Sequence, residues 1–277
     1  MSYIAVIGAG SWGTTLAHLL SSKGFDIALW VYEKDLSEEI RQTRINSVYL
    51  PDIELPENIH VTGSLEEALK KARYIVNAVP AQYTRSIFKE LLPHIIDKAI
   101  IVSVAKGIER GTLLTVSSIL KELSAHPVAV LSGPSFAKEV IKKLPTAVTL
   151  ATENIHTGVH LQEIFNVNHF RVYTHDDLLG VELGGSLKNV MAIASGIADS
   201  LGLGNNARAS LITRGLVEMT RLGIAMGAKE RTFSGLSGIG DLVLTCSSPL
   251  SRNYTVGVKL GQGMKLKDIL TQMRSVA

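Results

Sequence analysis

Short apolar runs rich in valine and isoleucine alternate with amphipathic segments along the chain up to about residue 180. Runs of this length that end at glycine, proline or polar residues are typical of buried strands. Eight strands are predicted on this basis: Tyr3–Ile7, Asp26–Val31, Ile59–Thr62, Tyr74–Val79, Ala99–Ala105, Val128–Leu131, Ala147–Ala151 and Phe170–Tyr173. Helical patterns such as Ser64–Ala72 and Gly111–Glu122 lie between several of them. The alternation predicts an α/β fold with a mostly parallel sheet covered on both faces.

The pattern changes near Gly180, and from Glu182 onward helical periodicity dominates with no convincing strand. Glycine-rich breaks separate these helices: Gly202–Gly204, Gly235–Gly240 and Gly261–Gly263. We therefore predict a sheet domain at residues 1–180 followed by an all-helical domain at residues 181–277. The last residues, Met273–Ala277, carry no stop signal, so we expect a truncated C-terminus.

Composition indicates a globular protein with a large core, since 46% of the residues are hydrophobic and 19% are charged. The net charge of +3, from 28 Lys and Arg against 25 Asp and Glu, is too mild and dispersed to favour nucleic acid as a partner. We find no secretory signal and no apolar stretch long enough to cross a bilayer. Cys246 is the only cysteine, which fits a reducing compartment. These features predict a cytoplasmic protein without membrane insertion.

A glycine-rich loop, Gly8–Gly13, follows the first predicted strand and precedes a helix predicted over Thr14–Lys23. In a Rossmann-type domain, Gly8 would permit the tight turn, Gly10 would let the backbone approach a pyrophosphate, and Gly13 would allow close packing of helix on strand. The N-terminus of the helix offers free N–H groups to the anion. The loop therefore predicts a site for a nicotinamide or flavin dinucleotide, and its N-terminal position together with the helical second domain favours NAD or NADP. A glycine turn without a ligand and a methyltransferase loop remain alternatives.

The end of the second predicted strand bears on the choice of cofactor. Glu33 lies about 20 residues past Gly13, where Rossmann domains carry an acidic residue for the ribose 2′-hydroxyl. Lys34 could instead bind the 2′-phosphate of NADP, and either side chain could simply be a solvated surface charge. The sequence leaves NAD and NADP both open.

Two polar segments follow strands at the edge of the sheet where ligands bind in open α/β folds. Lys106 stands at the end of one predicted strand, where it could bind an anion or lie free on the surface. Ser135 lies in the segment Ser132–Ala137 after the next strand, where it could cap a helix or face a ligand.

Lys188 lies on a predicted helix that begins near Glu182. The residues sharing its helical face are all small: Gly184, Gly185, Ala192 and Ser195. A long side chain among small ones is expected to face open space or a ligand. The alternative is a lysine that snorkels from a buried helix.

Two further candidates lie near the end of the chain. Asp241 follows a glycine-rich segment, where it could belong to a site or cap a short helix, and Ser251 could cap the next helix. Arg252 would then stand in the first helical turn, where the helix dipole disfavours a cation. A bound phosphate would offset that cost, because guanidinium and helix N–H groups both bind it.

These segments, taken in order, resemble the bacterial-type NAD(P)-dependent glycerol-3-phosphate dehydrogenases over nearly the whole chain. The matching stretches are Gly8–Thr14, Lys106–Gly107, Ser132–Glu139, Leu183–Val190, Asn205–Arg208, Gly238–Cys246 and Ser251–Asn253. The resemblance implies an oxidoreductase that interconverts dihydroxyacetone phosphate and glycerol 3-phosphate and supplies phospholipid synthesis.

The resemblance also implies roles for single residues. Lys188 would transfer the proton, and we expect Asp241 to hold it in place. The implied substrate contacts are Lys106, Gly133, Ser135, Lys188, Asp241, Ser251, Arg252 and Asn253. The implied cofactor contacts are Ser11, Trp12, Tyr32, Lys106, Ala137, Arg252 and Val276, beside the glycines and Glu33. Tyr32 departs from the family, whose members often carry His or Arg there.

Other readings stay open at this point. A related 3-hydroxy-acid dehydrogenase with a helix-borne lysine, or a non-catalytic dinucleotide sensor, would share many of these features. A metal site is not expected: His156, His160 and Glu163 could share one helix face, but a solvated face explains them as well. We also expect a small-molecule substrate and a homodimer.

Overall fold

The computed structural model describes residues 3–273, which divide into two units. The sheet unit comprises residues 3–131 with Ala137–Leu178, and the helical unit comprises Ser132–Phe136 with residues 179–273. The boundary predicted at residue 180 places Ser132–Phe136 in the first domain, whereas the structure groups this segment with the helical unit.

Ten strands are described. In chain order they are β1 (Tyr3–Ile7), β2 (Asp26–Trp30), β3 (Ile45–Asn46), β4 (Leu50–Glu54), β5 (Ile59–Thr62), β6 (Ala72–Asn77), β7 (Ile100–Ser103), β8 (Val128–Ser132), β9 (Thr146–Thr152) and β10 (Phe170–His175). β3 and β4 form an antiparallel hairpin, and the other eight form one sheet in the order β10-β9-β8-β7-β6-β1-β2-β5. All eight predicted strands are confirmed, each end within two residues.

The sheet is covered on both faces, as the sequence predicts. Successive residues of β1 enter different apolar clusters, with Ile4 and Val6 on one face and Ala5 and Ile7 on the other. Its strands pair in parallel wherever their register is defined. The strand order reverses between β1 and β6, and ligands of open parallel sheets bind at the carboxyl edge beside such a reversal.

Seven α-helices and one short 3-10 helix, Leu92–His94, belong to the sheet unit. The α-helices are α1 (Ser11–Ser21), α2 (Lys34–Thr43), α3 (Leu65–Leu69), α4 (Ala81–Leu91), α5 (Val116–Leu123), α6 (Ala137–Val140) and α7 (Ile155–Phe165). α5 begins later than predicted because Thr115 caps it by accepting the Ser118 N–H, and Gly111 and Leu113 adopt positive φ in a turn before it. α1 begins three residues earlier than predicted, directly after Gly10.

The helical unit contains only helices and turns within the described residues from 182 to 273. Its helices are α8 (Leu178–Ser200, which starts at the end of the sheet unit), α9 (Gly204–Ala225), α10 (Glu230–Phe233), α11 (Asp241–Cys246), α12 (Arg252–Gly261) and α13 (Leu266–Gln272). A π-helical turn, Leu236–Gly240, leads into α11. Among residues 3–273, no helix combines the length and the apolar character needed to span a membrane.

Candidate active site

The glycine-rich loop after β1 has the backbone of an anion-binding turn. Gly8 has φ +110°, and a Cβ on it would lie 2.9 Å from the carbonyl oxygen of Ala78. A Cβ on Gly13 would lie 2.0 Å from the carbonyl oxygen of Gly8. Gly10 is the N-cap of α1, and a Cβ there would meet nothing within 4 Å. Two glycines are thus required by the packing of the loop, while the third leaves the helix N-terminus open to a diphosphate.

Two fully buried asparagines support this loop, and the sequence analysis missed both. The Asn46 amide donates to the carbonyl oxygen of Ala9 and to the Thr14 hydroxyl, both at 2.9 Å. Asn77 accepts the Val79 N–H at 3.2 Å and so fixes the turn after β6. Its place at the carboxyl end of a strand was an available signal, whereas a two-residue strand offers none for Asn46.

Ser11 and Trp12 form the first turn of α1. The Ser11 hydroxyl donates to the carbonyl oxygen of Tyr49 at 3.2 Å. The Trp12 ring packs against Phe170, with ring centroids 6.3 Å apart. Both side chains are half-buried and therefore present only part of their surface to a ligand.

The residues after β2 are open to solvent. Tyr32 is 72% exposed and meets the edge of the Trp30 ring. Glu33 is the exposed N-cap of α2 but makes no capping hydrogen bond through its side chain, and Lys34 is exposed beside it. All three side chains are therefore accessible to the ribose end of a cofactor.

The loop after β7 carries Lys106 and is held at both ends. Gly107 has φ +153°, and a Cβ on it would lie 2.9 Å from the Cβ of Ala81. Farther along the loop, the Arg85 guanidinium donates to both carboxylate oxygens of Glu109, from Nε to Oε1 at 2.9 Å and from Nη2 to Oε2 at 3.0 Å. This pairing holds the pKa of the Glu109 carboxyl below its usual value.

The helical unit holds a buried ion pair. Lys188 Nζ donates to Asp241 Oδ1 at 2.5 Å and to Thr245 Oγ1 at 2.6 Å. The Lys188 side chain is 8% exposed and that of Asp241 is 1% exposed. The Thr245 hydroxyl in turn donates to the Asp241 carbonyl oxygen at 2.6 Å. A lysine held by two fixed acceptors is well placed to give a proton as the ammonium and to take one as the neutral amine.

Lys188 was expected to face open space or a ligand; its side chain is 8% exposed, so it does not face open space, and contact with a ligand stays a prediction. A Cβ on Gly184 would lie 2.3 Å from the carbonyl oxygen of Ser237, so the turn before α11 packs directly on α8. This contact accounts for a glycine inside a helix, and it brings Asp241 to the lysine. Thr245 was missed, although its spacing of four residues from Asp241 places both on one helical face.

The residues matched to a phosphate site lie at the start of α12. Ser251 accepts the Tyr254 N–H at 3.2 Å, which confirms the predicted cap. Arg252 is the first residue of the helix and is exposed, and Asn253 follows it half-buried. An arginine and a capped helix N-terminus together can hold a phosphate dianion.

The segment Ser132–Phe136, which carries Gly133 and Ser135, belongs to the helical unit together with Lys188, Asp241 and the start of α12. The Ser135 hydroxyl donates to the carbonyl oxygen of Gly133 at 3.0 Å, and α6 begins two residues later. A Cβ on Gly240 would lie 3.7 Å from the Pro134 ring. Every residue matched to the substrate except Lys106 therefore belongs to the helical unit.

The candidate metal residues on α7 have other surroundings. His160 is exposed, as expected of a solvated helix face, and its Nε2 lies 2.6 Å from the Tyr74 hydroxyl oxygen. His156 is exposed. Across residues 3–273, no three histidine, cysteine or acidic side chains are grouped closely enough to bind a metal.

Comparison with known proteins identifies relatives for the whole chain. Residues 3–158 match the family model of the NAD-dependent glycerol-3-phosphate dehydrogenase N-terminus, and residues 177–277 match that of its C-terminus. Glycerol-3-phosphate dehydrogenase [NAD(P)+] of Geobacter sulfurreducens is 54% identical over 278 residues, which are 99% of this chain and 83% of that protein. The crystal structure of glycerol-3-phosphate dehydrogenase from Coxiella burnetii superposes with a TM-score of 0.96 at 43% identity, covering 99% of this chain and 85% of the other.

Proposed function

This chain belongs to the NAD-dependent glycerol-3-phosphate dehydrogenases, and we propose that Lys188 and Asp241 are the catalytic pair of its reaction. The enzyme is an NAD(P)-dependent oxidoreductase that interconverts dihydroxyacetone phosphate and glycerol 3-phosphate. The observation that carries the proposal is the buried contact of 2.5 Å between Lys188 Nζ and Asp241 Oδ1.

A nicotinamide cofactor held by the glycine loop would supply or accept the hydride at C2 of the substrate. Lys188 donates a proton to the oxygen on C2 as its negative charge develops, and accepts that proton in the reverse direction. Asp241 keeps the ammonium in place and balances its charge, while Thr245 fixes its direction through a second hydrogen bond.

The substrate phosphate is assigned to the start of α12. Arg252 donates to it through a planar fork, and Ser251 and Asn253 complete the site with the first N–H groups of the helix. The remaining proposed substrate contacts are Lys106, Gly133 and Ser135.

The cofactor is assigned to the glycine loop, whose open space over Gly10 fits a pyrophosphate. The proposed contacts are Gly8, Gly10, Ser11, Trp12, Gly13, Tyr32, Glu33, Lys106, Ala137 and Arg252. Val276, the last cofactor contact implied by the family, lies outside the described residues.

The assay that tests this assignment follows the oxidation of NADH and of NADPH separately with dihydroxyacetone phosphate. Arg252→Ala should raise KM for the phosphorylated substrate at least about tenfold, because a charge-assisted bidentate contact is lost. A KM that stays unchanged would remove Arg252 from the phosphate site. Faster turnover of a 3-hydroxy acid than of dihydroxyacetone phosphate would favour the related dehydrogenase instead.

The proposal extends to the setting of the reaction. We place the enzyme in the cytoplasm as a homodimer whose product supplies phospholipid synthesis. The single cysteine, Cys246, is buried and reduced, which agrees with a reducing compartment. Cell fractionation and sedimentation of the purified chain test the location and the assembly state.

A further inference from the structure

A single carboxylate oxygen joins three helices of the helical unit. Asp199 Oδ2 accepts the Tyr254 hydroxyl at 2.5 Å and Arg208 Nη1 at 2.7 Å. Arg208 also donates through Nη2 to the Asn205 side-chain oxygen. Asp199 lies in the last turn of α8, Arg208 in the first turns of α9, and Tyr254 in the first turn of α12. We call Asp199, Arg208 and Tyr254 the Asp199 tether.

The tether accounts for a sequence segment to which the proposed chemistry assigns no role. Asn205–Arg208 is one of the stretches that carry the family resemblance, yet it contains no proposed catalytic or binding residue. Within this segment, Arg208 donates a hydrogen bond to the Asn205 side chain and another to Asp199 at the end of α8. The Asp199 and Arg208 side chains are 20% and 29% exposed, so the pair is largely shielded from bulk water.

The place of Tyr254 on α12 suggests what the tether does. Tyr254 follows Arg252 by two residues, and its backbone N–H is the group capped by Ser251. The start of the proposed phosphate site is therefore attached to α8, the helix that carries Lys188, through the tyrosine side chain.

The backbone of α12 also packs directly on α8, from Tyr254 onward. A Cβ on Gly196 would lie 2.1 Å from the carbonyl oxygen of Tyr254, and a Cβ on Gly257 would lie 2.1 Å from that of Ile193. Farther along, a Cβ on Gly261 would lie 2.7 Å from the Cβ of Ser200. This seam holds α12 on α8 from Tyr254 onward without the tether, so removal of the tether is expected to leave the fold intact and to affect the start of the helix, where Arg252 lies.

We propose that the Asp199 tether is a positioning device that sets the first turn of α12, and with it Arg252, for the substrate phosphate. The inference rests on the proposed phosphate site. Arg208 orients the Asp199 carboxylate through its hydrogen bond, and Asp199 then holds the Tyr254 side chain. The Tyr254 phenol is the donor in this contact, and its hydrogen bond to Asp199 raises the pKa of Tyr254.

The first test is Tyr254→Phe, which removes one hydroxyl and leaves the ring. KM for dihydroxyacetone phosphate should rise about fivefold, the effect of losing roughly 1 kcal/mol of orientation. KM for NADH should not change. Dihydroxyacetone, which lacks the phosphate, should be turned over as fast as by the unsubstituted enzyme. Tyr173→Phe, at a half-exposed tyrosine of β10, is the matched control and should change none of these values.

A second pair of variants asks whether Arg208 acts through its charge. Arg208→Lys should retain most of the substrate affinity, and Arg208→Ala should raise KM for dihydroxyacetone phosphate as Tyr254→Phe does. Thermal unfolding of each variant accompanies the kinetics. A fall in Tm with KM unchanged would make the tether a structural contact only and would overturn the proposal.

Arg252→Ala separates this proposal from the one on which it rests. If Arg252→Ala raises KM and Tyr254→Phe does not, the phosphate site stands and the tether has no positioning role. If Arg252→Ala leaves KM unchanged, the phosphate site itself is wrong. An equal loss of dihydroxyacetone and dihydroxyacetone phosphate turnover in Tyr254→Phe would also overturn the proposal, since the effect would not reach the substrate through its phosphate.

Discussion

The buried pair of Lys188 and Asp241 can be dissected by removing its charges one at a time. Lys188→Met and Asp241→Asn nearly preserve the volumes of the side chains and each leave one charge without its partner. Neither charge can reach bulk water, because the two side chains are 8% and 1% exposed. We therefore expect both single variants to be strongly destabilised, and the double variant to be less destabilised than the sum.

The magnitudes follow from the environment of each group. Removing one partner of a buried pair costs about 3–5 kcal/mol. Lys188→Met should fall in the lower part of that range, because the Asp241 carboxylate stands in the first turn of α11, where the helix dipole stabilises it by about 0.3–1 kcal/mol. In the double variant no charge is left, and an incompletely bonded amide costs only about 1–3 kcal/mol.

Urea denaturation measures the four free energies of unfolding, and the coupling is the deviation of the double variant from additivity. We expect a coupling of about 3 kcal/mol or more in favour of the double variant. Dihydroxyacetone phosphate reduction should fall by about 10²–10⁴-fold in all three variants. Additive destabilisation would contradict the buried pairing of the two charges. A double variant that keeps its activity would contradict the catalytic role of the pair.

Three further predictions test other parts of the structure. Burial raises the pKa of the Cys246 thiol to about 11, so iodoacetamide should label it only after unfolding, and labelling of the native enzyme would contradict its buried position. Glu109→Gln should lower Tm at neutral pH. Because Arg85 depresses the pKa of Glu109, the difference in Tm between the two proteins should be full above the pKa of Glu109 in the unfolded chain and should shrink as the pH falls from there towards the pKa in the folded protein. A difference in Tm that does not change with pH would contradict the pairing. Gly10→Ala should preserve Tm but weaken NADH binding in fluorescence titrations, whereas Gly13→Ala should lower Tm, and equal effects would contradict the described loop.

The strands of the sheet could be predicted because parallel strands buried on both faces leave a continuous apolar run in the sequence. β1 and β5 are found at their predicted bounds. The hairpin of β3 and β4 was not predicted, since one strand has two residues and the other contains Pro51, which a strand pattern does not favour. Local periodicity carries no information on such short pairs.

The candidate site was predictable in its residue types more than in its contacts. Arg252 and the cap at Ser251 follow from local spacing, because both belong to one helical turn. The surroundings of Lys188 depend on Gly184 admitting the turn before α11, a contact between segments about 50 residues apart in sequence. Similarly, nothing local places Asn46 beneath the glycine loop, because its partners lie 32 and 37 residues away.

The most direct test of the account is NADH oxidation by dihydroxyacetone phosphate in the unsubstituted enzyme and in Lys188→Met, with NADH binding measured on the same samples. We predict that turnover falls by about 10²–10⁴-fold while the Kd for NADH stays unchanged, since the lysine moves the proton and the cofactor is bound by the glycine loop. Turnover that persists within about tenfold of the unsubstituted enzyme, with NADH binding intact, would contradict the catalytic role of Lys188.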